Sequence, residues 1–186
     1  MPEGDIVATW NVPLHDKVHK IEFEHGTTTG KRIIRLDGKE ILRKEWMFKL
    51  VGKEVFNIGS MKCVVSVDAL GTFAYEYGLD VNGKSFNKFK EEQNKKLNSW
   101  ETTVGGNDTR VVLDKESMEV WVNGRKIDTA GEFVDDGTET HFEIGEHVCK
   151  IKATSSGKKK SGVIHTLIID NVEIKQPVDL PTKSTK

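Results

Sequence analysis

The chain has 186 residues, a formal net charge of −1, 31% charged residues and 36% hydrophobic residues. This composition is typical of a globular protein, and no segment approaches the roughly 20 consecutive apolar residues that a membrane helix needs. Because the charges nearly cancel, the chain lacks the basic surface expected of a nucleic-acid-binding protein. We therefore expect no nucleic-acid partner and no membrane insertion.

The first half consists of short alternating segments separated by turns. Between residues 18 and 25, Ile21 and Phe23 share one face while charged residues occupy the other, which predicts a half-buried antiparallel strand. The dipeptides Asp37-Gly38 and Asn82-Gly83 are strong hairpin signals. We predict strands at residues 6–10, 18–25 and 31–36, around the alternating Trp46, Phe48 and Leu50, around Phe56 and Ile58, after Cys63, and at residues 72–81.

A motif that occurs twice indicates an internal duplication. The pattern Phe-x-Ile-Gly-x-x-x-Cys runs from Phe56 to Cys63 and again from Phe142 to Cys149, and both ends are separated by 142 − 56 = 149 − 63 = 86 residues. The same offset aligns Asp37-Gly38-Lys39 with Asn123-Gly124-Arg125. A period of this length is too long for a solenoid repeat, so it predicts two duplicated domains.

The second half repeats the strand and turn pattern of the first half. Turn signals every eight to twelve residues predict an all-β fold of two tandem duplicated antiparallel β-sandwich-like domains, and the pattern does not separate a sandwich from a barrel. The charged residues 86–97 break the strand rhythm and predict a helical turn or a solvated linker. The predicted organisation is an N-terminal β-domain at residues 1–88, a linker at 89–97, a C-terminal β-domain at 98–176 and a disordered tail at 177–186.

The pattern of cysteines and histidines predicts neither a metal site nor a catalytic site. Cys63 and Cys149 occupy equivalent inward positions of two different domains, which favours two buried, reduced thiols in a reducing compartment. His147 shares a strand face with Cys149, but no spacing typical of a zinc site is present. No nucleophile elbow occurs either. We expect a non-enzymatic protein with no catalytic residues, no cofactor and no metal.

Two charged turns are the candidate partner-binding residues. The first is an acidic turn, for which a calcium site and a solvated turn are the alternatives; its spacing is not that of an EF-hand. The second is a basic loop between glycines that either binds an acidic partner or only solvates the end of a hairpin. The candidate residues are Glu132, Asp135, Asp136 and Glu139 in the acidic turn and Lys158, Lys159 and Lys160 in the basic loop.

Several long stretches resemble the Fas apoptotic inhibitory molecule family, and the resemblance spans roughly residues 6 to 175. The stretches that carry it are Val18-His-Lys-Ile-Glu-Phe-Glu-His-Gly-Thr-Thr-Thr-Gly-Lys-Arg32, Arg43-Lys-Glu-Trp-Met-Phe-Lys-Leu-Val-Gly-Lys-Glu54, Phe73-Ala-Tyr-Glu-Tyr77, Val81-Asn-Gly-Lys-Ser85, Gly131-Glu-Phe-Val-Asp-Asp-Gly-Thr-Glu-Thr-His-Phe142 and His165-Thr-Leu-Ile-Ile-Asp170. The resemblance implies a cytoplasmic, non-enzymatic regulator that opposes death-receptor (Fas)-mediated apoptosis and supports cell survival through protein–protein interaction.

Two other functions remain open at the level of sequence. One is a holdase-like protection against stress-induced protein aggregation, which the resemblance also implies. The other is a carbohydrate-binding β-sandwich, which would use an exposed tryptophan such as Trp121 to stack on sugar rings. The expected partners are proteins of apoptotic or survival signalling and aggregation-prone proteins, and the expected state is a monomer or a weak homodimer.

Overall fold

A computed structural model describes residues 6–155 and 162–176 of the chain. Within these residues the chain forms seventeen β-strands and one α-helix. The strands of the first half are β1 (Ile6–Pro13), β2 (Val18–His25), β3 (Arg32–Leu36), β4 (Lys39–Lys44), β5 (Gly52–Ile58), β6 (Met61–Leu70), β7 (Ala74–Val81) and β8 (Lys84–Ser85), followed by helix α1 (Phe86–Lys96). The strands of the second half are β9 (Leu97–Val104), β10 (Asn107–Asp114), β11 (Val120–Val122), β12 (Arg125–Ile127), β13 (Ala130–Val134), β14 (Gly137–Ile144), β15 (His147–Ser155), β16 (Val163–Ile169) and β17 (Val172–Ile174).

The strands form four antiparallel sheets in which strands adjacent in the chain are also adjacent in space. Sheet 1 contains β1 to β4, sheet 2 contains β5 to β8, sheet 3 contains β9 to β12 and sheet 4 contains β13 to β17. Every connection within a sheet is therefore a hairpin between consecutive strands. This simple order confirms the all-β class that the turn spacing predicts.

The chain divides into two units, Met1–Lys95 and Lys96–Lys186, and each has its own core. In the first unit, Phe23 of sheet 1 and Val65 of sheet 2 belong to one buried cluster; in the second unit, Trp100 of sheet 3 and Ile151 of sheet 4 do. Each unit is thus a sandwich of two sheets whose inner faces enclose the core. This arrangement confirms the two tandem β-sandwich-like domains.

Two-residue turns close the last hairpin of each sheet; three are Asx-Gly pairs and the fourth is Asp170-Asn171. In every case the first turn residue is Asp or Asn with a positive φ between 47° and 52°, as in the type I′ turns that suit hairpins. Its side-chain oxygen also accepts a hydrogen bond from a backbone N–H of the strand immediately before that hairpin. The turn residues are Asp37, Asn82, Asn123 and Asp170, and the respective donors are Lys20, Lys62, Arg110 and Val148.

One of these turns contains a hydrogen-bonded charge cluster. The Nδ1 atom of His19 lies 2.7 Å from Oδ2 of Asp37, and Nζ of Lys17 lies 3.1 Å from the same oxygen. Burial alone would raise the pKa of Asp37, but the hydrogen bonds from the Lys20 backbone, His19 and Lys17 outweigh it and hold this pKa below its usual value. The ionised form of Asp37 therefore stabilises the folded hairpin.

Residues 86–97 form more structure than the charged sequence indicates. Helix α1 contains eleven residues, and its Phe89 side chain is buried in the core of the first unit. Gln93, one turn further along, is also buried, and its side-chain amide donates a hydrogen bond to the Pro13 carbonyl oxygen at 2.9 Å. Residues 89–97, which we expect to be a linker, thus lie mostly in a helix packed on the first sandwich. Among the described residues, no helix is long and apolar enough to cross a membrane.

Two other expectations from the alternating pattern are wrong in detail. Trp46, Phe48 and Leu50 do not lie on a strand, because residues 45–51 are irregular and follow the end of β4. Glu24, expected on the polar face of β2, is buried and forms an ion pair with Arg35 of β3. The tail at residues 177–186 and the loop with Lys158, Lys159 and Lys160 lie outside the described residues.

Candidate partner-binding site

The acidic turn is the tip of the hairpin formed by β13 and β14. Glu132 of β13 is the direct cross-strand partner of Glu139 of β14, and Asp135 and Asp136 form the turn itself. Gly137 follows the turn with a φ of 156°, and a Cβ atom there would lie 1.9 Å from the carbonyl oxygen of Ala153. The hairpin is therefore pressed against β15 at a position that only glycine can occupy.

The exposed side of this hairpin combines negative charge with one aromatic ring. Asp135 and Asp136 are exposed, as is Glu132, whereas Glu139 is half-buried. Phe133 lies between them and is 91% exposed. Because β13 is at the edge of sheet 4, its outer backbone groups are unpaired within the described part of the chain. A strand edge, a free aromatic ring and a group of carboxylates together form a surface suited to a basic protein segment. We call these residues, 132–139, the acidic hairpin.

His141 links two of the carboxylates of the acidic hairpin. Its Nε2 atom lies 3.3 Å from an oxygen of Glu132 and 3.2 Å from an oxygen of Glu139. Two carboxylates directly opposite each other on neighbouring strands repel. Nζ of Lys150, 3.6 Å from the other oxygen of Glu139, offsets part of that repulsion.

The same three side chains are the described residues that come nearest to a metal site. One ligand atom from each of Glu132, Glu139 and His141 lies within 4.8 Å of the others. A structural zinc site usually has four protein ligands, and this cluster offers three on two strands. The absence of a metal stays our prediction. The sequence does not suggest this cluster, because its members become neighbours only through the hairpin register.

The histidine and cysteine that share a strand face do not approach each other as a reactive pair. His147 turns toward Asp170, with Nδ1 2.5 Å from Oδ2. Cys149 is buried in the core of the second unit, and burial raises the pKa of its thiol to about 11. Cys63 occupies the equivalent place in the first unit, and burial raises its pKa to about 11 as well. Both thiols are free in the structure, so both serve as small apolar core groups.

The four tryptophans have different environments. Trp100 is fully buried and Trp10 packs against the core of the first unit. Trp121, the residue proposed to stack on sugar rings, is half-buried on β11. The exposed tryptophan is Trp46, at 65%.

Trp46 belongs to a second surface that the sequence reasoning missed. Residues 45–51, which we call the aromatic connector, join β4 to β5. They expose Trp46 and also Phe48, which is 86% exposed, and the two ring centroids are 6.3 Å apart. Their alternation favours a strand, yet the segment pairs with no described strand. One signal in the sequence could have indicated that the two rings are exposed: both lie among charged residues, between a hairpin and Gly52.

Both units of the chain are similar in sequence to known proteins. A sequence model of Fas apoptotic inhibitory molecule (FAIM1) matches residues 6–177, which include both sandwiches. The chain belongs to the Fas apoptotic inhibitory molecule family. It is 60% identical over 172 residues to Fas apoptotic inhibitory molecule 1 of Homo sapiens, covering 91% of this chain and 96% of that protein. It is 59% identical over 177 residues to the Bos taurus protein of the same name, covering 94% of this chain and 88% of the relative.

Membership of the Fas apoptotic inhibitory molecule family confirms the resemblance found in the sequence. The match extends through the acidic hairpin and the aromatic connector, so both surfaces lie within residues 6–177 that the family model matches. The Mus musculus relative is also 59% identical over 172 residues, covering 91% of this chain and 96% of its own length. The similarity is therefore to whole relatives and not to a single shared domain.

Proposed function

We propose that this protein is a non-enzymatic cytoplasmic regulator that opposes death-receptor-mediated apoptosis and supports cell survival by binding other proteins. The observation that carries the proposal is the 60% identity, over 91% of the chain, to a human protein named Fas apoptotic inhibitory molecule 1. The two free, buried thiols support a reducing compartment. The acidic hairpin supports a role in binding, because it displays Phe133 and three exposed carboxylates at a strand edge.

The acidic hairpin provides the test of how the regulator acts. Asp135→Asn together with Asp136→Asn removes two exposed negative charges and keeps the size of both side chains. We expect this variant to lose protection in cells that lack their own homologue and receive a death-receptor ligand, because a basic partner segment no longer finds its counter-charges. The unfolding midpoint should stay within about 1 °C, since exposed charges away from buried contacts contribute little to stability.

A matched control removes the same charge elsewhere in the second unit. Asp108 and Asp128 are exposed, and neither forms an ion pair among the described residues, so Asp108→Asn with Asp128→Asn should protect as the unmodified chain does. If the full chain fails to protect these cells, the apoptotic role is wrong. If it protects and the Asp135/Asp136 variant protects equally, the acidic hairpin is a solvated turn and the contact lies elsewhere.

Holdase-like protection is the second candidate function, and one observation favours it. Phe48, Phe73 and Phe133 are each more than 85% exposed, and exposed aromatic rings can cover apolar segments of a partly unfolded client. Light scattering of a heat-stressed client with an equimolar amount of this protein measures the effect directly. Undiminished scattering would remove this candidate, whereas suppression together with failure against the death-receptor ligand would make it the primary function.

A further inference from the structure

The first unit leaves open a strand edge that the second unit covers with its own chain. At the 86-residue offset of the repeat, β5 corresponds to β14, so the connector residues 45–51 correspond to residues 131–137, which contain most of β13 and the turn after it. In the second unit, β13 pairs with β14 as the edge strand of sheet 4. In the first unit, the connector pairs with no described strand, and one edge of β5 stays open among the described residues.

The backbone of the connector is held in place by the turn between β2 and β3 and by the buried Arg32. The Met47 N–H donates to the Thr29 carbonyl at 2.9 Å, and a Cβ at Gly30, whose φ is 72°, would lie 2.5 Å from the Met47 carbonyl oxygen. Arg32, which is almost fully buried, donates from Nη2 to the Val51 carbonyl at 2.9 Å. A connector fixed at Met47 and at its end loses little conformational entropy when it binds another molecule.

This fixed backbone presents its two largest side chains to solvent. Trp46 and Phe48 point outward with their rings near each other, while Met47 and Leu50 between and after them are half-buried. Exposing two neighbouring aromatic rings forfeits the burial free energy that such rings normally contribute. Tryptophan and other aromatic side chains on rigid backbones are also the residues that dominate binding energies at protein interfaces.

The surroundings of these rings are basic and include an open strand edge. Residues 43–53 contain four cations and one anion, a net charge of 4 − 1 = +3. The exposed Lys49 and Lys53 form no ion pair among the described residues. Strand β5, which follows directly, pairs with β6 on one side and with no described strand on the other. Its outward-facing Val55 is 53% exposed and adds apolar surface along that edge.

We propose that the aromatic connector and the free edge of β5 together bind an extended acidic segment of a protein partner. The segment adds as a strand along β5 and places an apolar side chain against Trp46 and Phe48, while its carboxylates pair with Lys49 and Lys53. A strand edge with unpaired backbone donors and acceptors fits a peptide and offers nothing to a lipid surface. This inference rests on the proposed function only in that the partner is a protein.

Fluorescence polarisation with the full chain tests the site. The probe is a fluorescein-labelled peptide of about eight residues, a usual strand length, in which Glu alternates with Val and Leu and no basic residue occurs. We expect saturable binding that weakens as NaCl is raised, because the contacts include exposed charge pairs. Trp46→Ser with Phe48→Ser should weaken binding at least about tenfold, as expected for hot-spot residues, and Lys49→Glu with Lys53→Glu should do the same.

Matched controls distinguish specific binding at this site from non-specific binding to exposed apolar side chains. Phe73 is the most exposed aromatic residue of the first unit, at 94%, so Phe73→Ser should bind the probe as the unmodified chain does. A peptide with Gln in place of every Glu should bind at least about tenfold more weakly, because it retains the apolar anchors and loses the charges. Thermal unfolding followed by circular dichroism should be unchanged in all variants, since each substituted side chain is exposed.

Several results would overturn the proposal. One is no binding of the acidic probe, and another is equal binding by the Trp46/Phe48 variant or of the Gln peptide. The protein could instead sediment with vesicles of phosphatidylserine and phosphatidylcholine. If this sedimentation requires Trp46 and Phe48 and the probe does not bind, the surface binds membranes. A dimer in sedimentation velocity that the same variant abolishes, again without probe binding, would assign it to a second copy. Probe binding with failed protection in cells would refute the apoptotic role and leave this site standing.

Discussion

The buried ion pair beneath the aromatic connector allows a quantitative prediction for stability. Arg32 and Glu54 are only 2% and 5% exposed, and Nη1 of Arg32 lies 2.9 Å from Oε1 of Glu54. Arg32 also donates to the carbonyl oxygens of Lys49 and Val51 at 3.3 and 2.9 Å. Arg32→Met would keep much of the apolar volume, leave Glu54 without its buried partner and remove the donor of two connector carbonyls.

The expected loss in the free energy of unfolding is at the lower end of the range for breaking a buried ion pair. Removing one partner of such a pair costs about 3–5 kcal/mol, and Nζ of Lys44, 2.9 Å from Oε2 of Glu54, still offers partial compensation. We therefore expect a loss of about 3 kcal/mol for the first unit. For a domain of this size each kcal/mol lowers the unfolding midpoint by about 4–8 °C, which gives about 12–24 °C.

Differential scanning calorimetry of the full chain measures this loss and includes an internal control. The transition of the second unit should not move, because the hydrogen-bond partners of Arg32 lie in the first. Arg43→Met is the external control: Arg43 pairs with Glu40 and Glu45 at the surface, so its loss should leave the unfolding midpoint almost unchanged. Adding Glu54→Leu to Arg32→Met should restore much of the stability, since no unpaired charge then remains buried. A midpoint change below about 4 °C for Arg32→Met, or no recovery in the double variant, would refute the reasoning.

Three further predictions concern close packing and proton-linked groups. Gly137→Ala should destabilise the second unit by about 1–3 kcal/mol in calorimetry, because its Cβ would lie 1.9 Å from the Ala153 carbonyl oxygen; an unchanged transition would contradict this packing. Cys63 and Cys149, each with a pKa of about 11, should not react with Ellman's reagent at about pH 8 until the chain is denatured, and fast reaction of either native thiol would contradict its burial. Because the folded-state pKa of Asp37 is lowered, its contribution to stability is present above its unfolded pKa and lost as the pH falls through the folded value. The stability difference between the unmodified chain and Asp37→Asn should therefore shrink as the pH falls from about 5 to about 2, and a constant difference would show that the charge of Asp37 is not involved.

Most of the fold follows from local patterns that the sequence displays directly. Ile21 and Phe23 are both fully buried, as the alternation of β2 predicts, and the two Asx-Gly pairs of the first unit form the predicted turns. Glu24 was misplaced because its burial depends on Arg35, a partner on another strand. Alternation assigns every charged side chain to the exposed face of a strand. It does not take into account that an ion pair with another strand can allow a charged side chain to be buried.

The length of the helix and the course of the aromatic connector were missed for opposite reasons. For residues 86–97 the sequence predicts only a helical turn or a linker, because Phe86, Phe89 and Gln93 give a weak helical signal within a charged segment. In the connector, the alternation of Trp46 and Phe48 gives a strong strand signal, yet the backbone contacts of Arg32 and Gly30 decide its course. Those contacts join residues far apart in the chain, so no local pattern contains them.

The hydrogen bonds at the turns show that the repeated element is the sheet and not only the domain. Each sheet closes its last hairpin with an Asp or Asn of positive φ, whose side chain accepts a hydrogen bond from the backbone of the strand before that hairpin. Every sandwich therefore contains two copies of one four-stranded meander, and sheet 4 adds β13 at its edge. At the 86-residue offset, β13 corresponds to residues 44–48, which from residue 45 onward belong to the aromatic connector and pair with no described strand. Selection for binding is the simplest physical reason to keep two aromatic rings in solvent there.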